Sequence, residues 1–402
     1  MSGLISFLPL EYIVSRNNSI TISRVRLLDN PELPVDIEIT GGRIAKITSS
    51  SSALSNAIDG SGKFLLPGFV DLHLQGAGKA DVLDATPEAL AAIARTLPRY
   101  GTTGWLATTV YEKGADNRHL ALAAQMMGHD FGGGAKLLGL YLEGPFINLA
   151  KKGMIHPDWI TPPDETVLDH ILDLCGPALK IMTVAPELPG AVRIIEKLRQ
   201  RGVTPSFGHS DADYHQTQTG IAAGIAHTTH LFNAMRPIRH RDPGPIPALI
   251  QNPNVSIELI SDGAHIEPPV VDLVGKLIPP DRLCLITDGL SPLGGPDTDF
   301  VYKGRPVRSR DGVIKSHDGT LVGTAVGQSE LATRFARFTN WSWPDTVRAA
   351  AGTPRAVLNL IPAGAPLIQI GQPADLVLAK IDGQALTVCA TFVNGQVAFT
   401  GS

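Results

Sequence analysis

One carboxylate and two imidazoles in this chain form a plausible ligand set for a single divalent metal ion: Glu143 in YLEGPF, His209 in FGHS and His230 in TTHLFNAM. Neutral imidazole nitrogens with a carboxylate oxygen are the usual donors to a catalytic zinc or similar ion, with one position kept for water. Such an ion lowers the pKa of water to about 7, so hydroxide forms at neutral pH. Taken alone, each histidine is more often a hydrogen-bonded structural residue than a ligand. Together at strand ends, the three favour ligation. Asp288 in LITDG completes a hydrolytic set, because a carboxylate there can take a proton from water and return it to a leaving amine. The bland alternative is an aspartate capping the turn after the strand. His227 competes with His230, three residues later, but alternation along a strand places it on the opposite face, which reads as a structural role.

These groups need a scaffold that brings distant segments to one place. Eight strand-like runs alternate with helical stretches between roughly 68 and 360: FVDLHL, TTGWLATT, KLLGLYLE, ALKIMTVAPE, VTPSFGHS, AHTTHLFNA, VSIELISDG and RLCLITDG. That alternation predicts a parallel sheet, and eight units closing on themselves predict a (β/α)8 TIM-like barrel. An open doubly wound sheet is the alternative, but no phosphate-binding glycine fingerprint follows the first strand. His73, Glu143, His209, His230, Asp262 and Asp288 all fall where strands end. In a barrel those ends meet at one mouth, where barrel enzymes keep their active sites. Residues 20–66 and the C-terminal runs ADLVLAKI and ALTVCATFVNGQVAF have short alternating segments, with Asn394-Gly395 as a hairpin turn. The expectation is a small, discontinuous β-sandwich domain from residues 1–66 and 362–402, flanking a catalytic barrel at 67–361.

Bulk properties exclude several function classes. Of 402 residues, 43% are hydrophobic and 18% charged, enough apolar material for a large core. The net charge of −4 lacks the basic footprint of a nucleic-acid binder, so an anionic substrate needs a local basic site. Three cysteines, Cys175, Cys284 and Cys389, show no paired spacing, which argues against a disulfide framework and for a reducing cytoplasm. The N-terminal MSGLISFLPLEYIVSRNN has an apolar patch but no basic region or cleavage site of a secretory leader. No apolar run is long enough to span a bilayer.

The blocks PGFVDLHLQG, LGLYLEGPFIN, KKG followed by His-Pro, TVAPE, GHSDA, THLFNAMRP, RDPG, SDGAHI, LITDG, DGTLVGT and GQPADLVL run in order from about 67 to 377. In this combination the chain resembles the N-acetylglucosamine-6-phosphate deacetylases of the amidohydrolase superfamily. The resemblance implies hydrolysis of an N-acetyl group on a phosphorylated amino sugar, with Glu143, His209 and His230 on one divalent ion per chain, zinc being expected. It implies Asp288 as general acid/base, and Asn233 and Ala234 as substrate contacts. Leu321 and Gly323 of DGTLVGT line the substrate site on the same grounds. Arg241 of RDPG and His265 of SDGAHI would hold the sugar phosphate, across the interface of a homodimer. A guanidinium suits bidentate phosphate recognition; the alternative for Arg241 is a solvated charge in RPIRHR.

Two positions depart from the family pattern. The first strand carries His73 and Gln75 where many amidohydrolases have a His-x-His pair. This favours one essential ion, with His73 and Gln75 as a weak second site or as pocket lining. After KKG the histidine comes one place late, as His156, from where it would polarise the acetyl carbonyl. The competing readings are the galactosamine epimer as substrate, a cyclic-amide hydrolase or deaminase on the same scaffold, and a non-catalytic scaffold protein derived from such an enzyme.

Overall fold

The computed structural model describes residues 19–50, 52 and 54–401; the N-terminal apolar patch lies outside the described residues. All eight expected strands form. They are β1 (Phe69–Leu74), β2 (Thr102–Thr109), β3 (Lys136–Leu142), β4 (Leu179–Val184), β5 (Thr204–Phe207), β6 (His227–Thr228), β7 (Ser256–Leu259) and β8 (Leu283–Leu285). They pair in chain order as one parallel sheet. The last strand returns to the first through the parallel bridge Leu74↔Gly289 and the bond from Asp288 N to His73 O, 2.9 Å. Strands covered on both faces read as continuous apolar runs, and β1 and β2 are buried along their whole length.

One longer helix follows each strand: Pro87–Thr96, Arg118–Gln125, Glu165–Cys175, Ala191–Gln200, Tyr214–Ala223, Ile246–Gln251, Pro268–Leu277 and Gln328–Thr339. Their apolar spacing explains how they dock. In Ala191–Gln200 the buried residues are Ala191, Ile194, Ile195 and Leu198, one stripe of a 3.6-residue period. Asp164 caps its helix by accepting from Thr166 N and Val167 N, and Asp213 forms a capping box with Gln216.

Both chain ends do pair. Strands between Ser19 and Pro67 and those between Leu376 and Thr400 form one sheet of eight, joined where Phe64–Pro67 runs antiparallel to Leu376–Asp382. It has its own core, including Ile22, Ile37, Ile39, Leu378 and Phe392. The strands from the two ends are hydrogen-bonded in one continuous order. An element not foreseen lies between β8 and its helix. It is a four-stranded antiparallel sheet, Thr298–Tyr302, Arg305–Arg310, Val313–Ser316 and Leu321–Thr324, attached to the barrel through Gly289↔Thr324.

Candidate active site at the barrel mouth

A cavity of about 350 Å³ opens at the ends of the strands. Glu143, His209, His230 and Asp288 line its floor. The chain delivers them by ending each strand early and turning sharply. Five non-glycine residues here have left-handed φ: His209 (48°), His230 (26°), Phe232 (75°), Ala234 (53°) and Asp288 (47°). Such conformations cost about 1–3 kcal/mol each and cluster at functional sites.

Glu143 Oε1 lies 2.8 Å from His209 Nε2 and 3.0 Å from His230 Nε2, and the two nitrogens are 3.2 Å apart. His209 Nδ1 is 2.7 Å from the Lys151 carbonyl. A carbonyl only accepts, so Nδ1 carries the proton and Nε2 turns its lone pair toward Glu143. A lone pair facing a carboxylate at this distance repels it unless a cation lies between them, so these residues fit a divalent ion. The three ligand atoms all lie within 4.8 Å of one another.

Beneath this floor is a buried ionic layer. Glu258 on β7 faces His73 Nδ1 (3.1 Å) and His227 Nε2 (2.9 Å), and accepts from His230 N (3.1 Å). Burial would raise the Glu258 carboxyl, yet His73 and His227 bring it down to about 2. For His73, burial disfavours the charge, and Glu258, Asp288 and Glu143 together push the imidazole up to about 10. Its Nε2 has no hydrogen-bond partner and lies 3.8 Å from Glu143 Oε1 and 3.5 Å from Asp288 Oδ1. Beside it, Asp71 accepts from Thr287 Oγ1 at 2.5 Å, tying β1 to the segment after β8, and burial pushes its carboxyl up to about 7.

The structure brings most of the sequence-predicted residues together. Gln75, Asn233, Ala234, His265 and Leu321 line the same cavity. Gly323 is buried just behind Leu321, its Cα hydrogens facing Asp288 O and Leu290. Asp262 stays out of the cavity and orients His265 through a 2.7 Å contact to Nδ1. Two residues are not brought in. His156 is half exposed, with its ring 5.5 Å from that of Trp159 and its Nδ1 accepting from Asp158 N; Met154 and Ile155 take the cavity wall instead. Arg241 is exposed on the loop beyond β6 and does not line this chain's cavity. His227 does not take the opposite face expected of it. It does point into the barrel, below His230, because His230 lies beyond the end of β6 where strict alternation no longer applies. Its partners Glu258 and Ser256 still give it a structural role.

Sequence reasoning missed Glu258, Asp71, Tyr302 and Lys303. A lone acidic residue inside the apolar run VSIELI or FVDLHL is the signal for the first two, since a buried charge needs partners. Nothing in DFVYKGRPV marks Tyr302 and Lys303, which reach the cavity from the inserted sheet. Burial holds the Lys303 ammonium below its ordinary value against the pull of Glu143, Asp81 and Asp288.

An eight-stranded parallel barrel with a Glu-His-His cluster and an aspartate beyond its last strand defines the class: a metal-dependent hydrolase of the amidohydrolase type. No family model matches the chain. It is 34% identical to the N-acetylglucosamine-6-phosphate deacetylase of Bacillus subtilis, over 83% of this chain and 84% of that protein. It is 30% identical to the N-acetylgalactosamine-6-phosphate deacetylase of Escherichia coli, over 74% of this chain and 79% of that one. The crystal structure of the N-acetyl-D-glucosamine-6-phosphate deacetylase from Mycobacterium smegmatis superposes with a TM-score of 0.86 at 28% identity, covering 94% of this chain and all of that one. The chain belongs to the N-acetylglucosamine-6-phosphate deacetylase family.

Proposed function

We propose that this chain hydrolyses the N-acetyl group of N-acetylglucosamine 6-phosphate to give glucosamine 6-phosphate and acetate. The observation that carries the reading is the Glu143–His209–His230 cluster facing Asp288 across one cavity. Glu143, His209 and His230 would hold one divalent ion, zinc being expected, which supplies Lewis-acid activation of water and the acetyl carbonyl. Asp288 takes the proton released as water adds to the carbonyl carbon. It returns that proton to the amine nitrogen as the C–N bond breaks. Asn233 and Ala234 orient the acetamido group, and Leu321 and Gly323 shape the wall beside it. The Glu258 contact turns His73 Nε2 between Glu143 and Asp288, so His73 serves the floor of the site and does not need a second ion. His156, exposed in this chain, would need a loop movement to reach the carbonyl.

His265 binds the sugar phosphate from within the chain. Arg241, exposed and outside its own cavity, suits a role across a homodimer interface, reaching the partner's phosphate. The chain-end sheet serves as the small discontinuous domain, bounded near residues 67 and 362. Among the described residues no helix is long and apolar enough to cross a membrane, and a cytoplasmic enzyme of amino-sugar metabolism is the setting we infer. The similarity to the Escherichia coli protein keeps the galactosamine epimer as the second reading. Elemental analysis tests the metal assignment: one tightly held divalent ion per chain is expected, lost in His209→Ala and His230→Ala. Two tightly held ions, both needed for turnover, would contradict it.

A further inference from the structure

The hairpin beside the cavity carries a group that the roles above leave without a task. Strands Thr298–Tyr302 and Arg305–Arg310 pair outward from Tyr302↔Arg305, so Lys303 and Gly304 form a two-residue turn, with φ of 47° and 74°. Asn, Asp and Gly are favoured at such positions, and a lysine is an unusual occupant. A hairpin-tip lysine ordinarily extends its ammonium into water. This one runs back into the cavity, and its Nζ donates to Gln75 Oε1 at 3.3 Å. The Tyr302 hydroxyl donates to the same oxygen. Two donors on the amide oxygen settle which way the amide faces. The Gln75 NH2 is turned to Asp288 and donates to Oδ1 at 3.0 Å. The flipped amide would set its NH2 against two donors and its oxygen against a carboxylate. With Oδ1 also facing His73 Nε2 at 3.5 Å, Oδ2 is the Asp288 oxygen left to carry a proton.

We propose that Lys303 is a positioning residue for amide hydrolysis, acting through Gln75 to hold the Asp288 carboxylate with Oδ1 occupied and Oδ2 presented to the reacting groups. The proposal rests on the deacetylase reading and on Asp288 as the proton carrier. It also gives the inserted sheet a function: its first turn brings a lysine into the cavity, where burial disfavours its charge and Glu143, Asp81 and Asp288 favour it. Lys303 thus helps the protein itself, rather than a second ion, to balance the acidic floor.

The test is a kinetic cycle on the metal-loaded enzyme with N-acetylglucosamine 6-phosphate, using Lys303→Met, Lys303→Arg, Gln75→Ala and the double variant Lys303→Met/Gln75→Ala. Misplacing a reacting group by an ångström can cost on the order of 100-fold in rate, so Lys303→Met should lower kcat by about 10- to 100-fold with KM changed much less. Lys303→Arg, which keeps the charge and the donor, should recover part of the loss. The double variant should be no slower than the slower single variant, because both act on one contact. Metal content and thermal midpoint should match wild type throughout. If Lys303→Met does not fold, Gln75→Ala carries the same kcat expectation. An unchanged kcat, losses that multiply in the double variant, or a loss confined to KM would each overturn the proposal. A wild type that releases no amine would overturn the deacetylase reading and this inference with it. An active wild type with an unaffected Lys303→Met overturns the inference alone.

Discussion

Replacing Glu258 by glutamine should damage this protein more than any conservative change on its surface. The carboxylate is fully buried and faces three groups, His73 Nδ1, His227 Nε2 and His230 N, at 2.9–3.1 Å. Glutamine offers one acceptor where two oxygens now serve, and its NH2 opposes an existing donor. Removing one partner of a buried ion pair costs about 3–5 kcal/mol, and the surviving amide oxygen places Glu258→Gln near the lower end, at about 3 kcal/mol. The effect depends on pH in a defined direction. The His73 pKa is raised from 6.5 to about 10, so its contribution is complete below 6.5 and fades as pH climbs through 10. The Glu258 pKa is lowered from 4.5 to about 2, so its contribution is complete above 4.5 and fades as pH falls through 2. The penalty should therefore be greatest between these ordinary values, near pH 5–6, and shrink on the alkaline side. Urea unfolding of wild type, Glu258→Gln, His73→Leu and the double variant measures it, with a coupling of about 0.5–3 kcal/mol expected between the two positions. Because Glu258 also holds the His230 backbone, chelator competition should show metal affinity about 10- to 100-fold weaker. A single-variant loss below about 1 kcal/mol, or strict additivity, would refute the account of this layer.

Three further outcomes are expected. Asp288→Asn should lose about 10²–10⁴-fold in kcat while retaining its metal by elemental analysis; a loss of a few-fold would remove Asp288 from the proton path. Arg241→Ala should lose about 1.5–3 kcal/mol in kcat/KM on the phosphorylated sugar and little on unphosphorylated N-acetylglucosamine, and equal harm to both would make the residue structural. For Asp71, whose pKa rises from 3.8 to about 7 on folding, the charged form is the costly one. Wild-type stability relative to Asp71→Asn should therefore grow as pH falls from 8 to 4, by about 1.4 kcal/mol per unit below 7. Denaturant titrations that show a constant gap would contradict this.

The barrel was legible because most of its strands announce themselves as apolar runs followed by His, Glu or Asp, and the metal cluster because those endings share one rim. What escaped prediction depends on long-range pairing. His230 and His227 share the barrel interior because β6 is only two residues long, which a rule based on strand alternation does not anticipate. Lys303 and Tyr302 enter the site through a hairpin whose sequence looks like an ordinary surface turn, on a sheet joined to the barrel through the long-range bridge Gly289↔Thr324. The place of His156 turned on one extra residue in a loop, which motif spacing registers but does not resolve into a direction. Arg241 lies outside its own cavity, because the loop beyond β6 carries it to the surface.

The central claim is tested most directly by amine release from a panel of N-acetyl hexosamines, phosphorylated and not, gluco and galacto, assayed with metal-stripped and metal-restored protein. The account predicts rapid release from N-acetylglucosamine 6-phosphate only when metal is restored, with much slower release from the unphosphorylated sugar. Undiminished turnover by the stripped protein, or equal turnover with and without the phosphate, would contradict it.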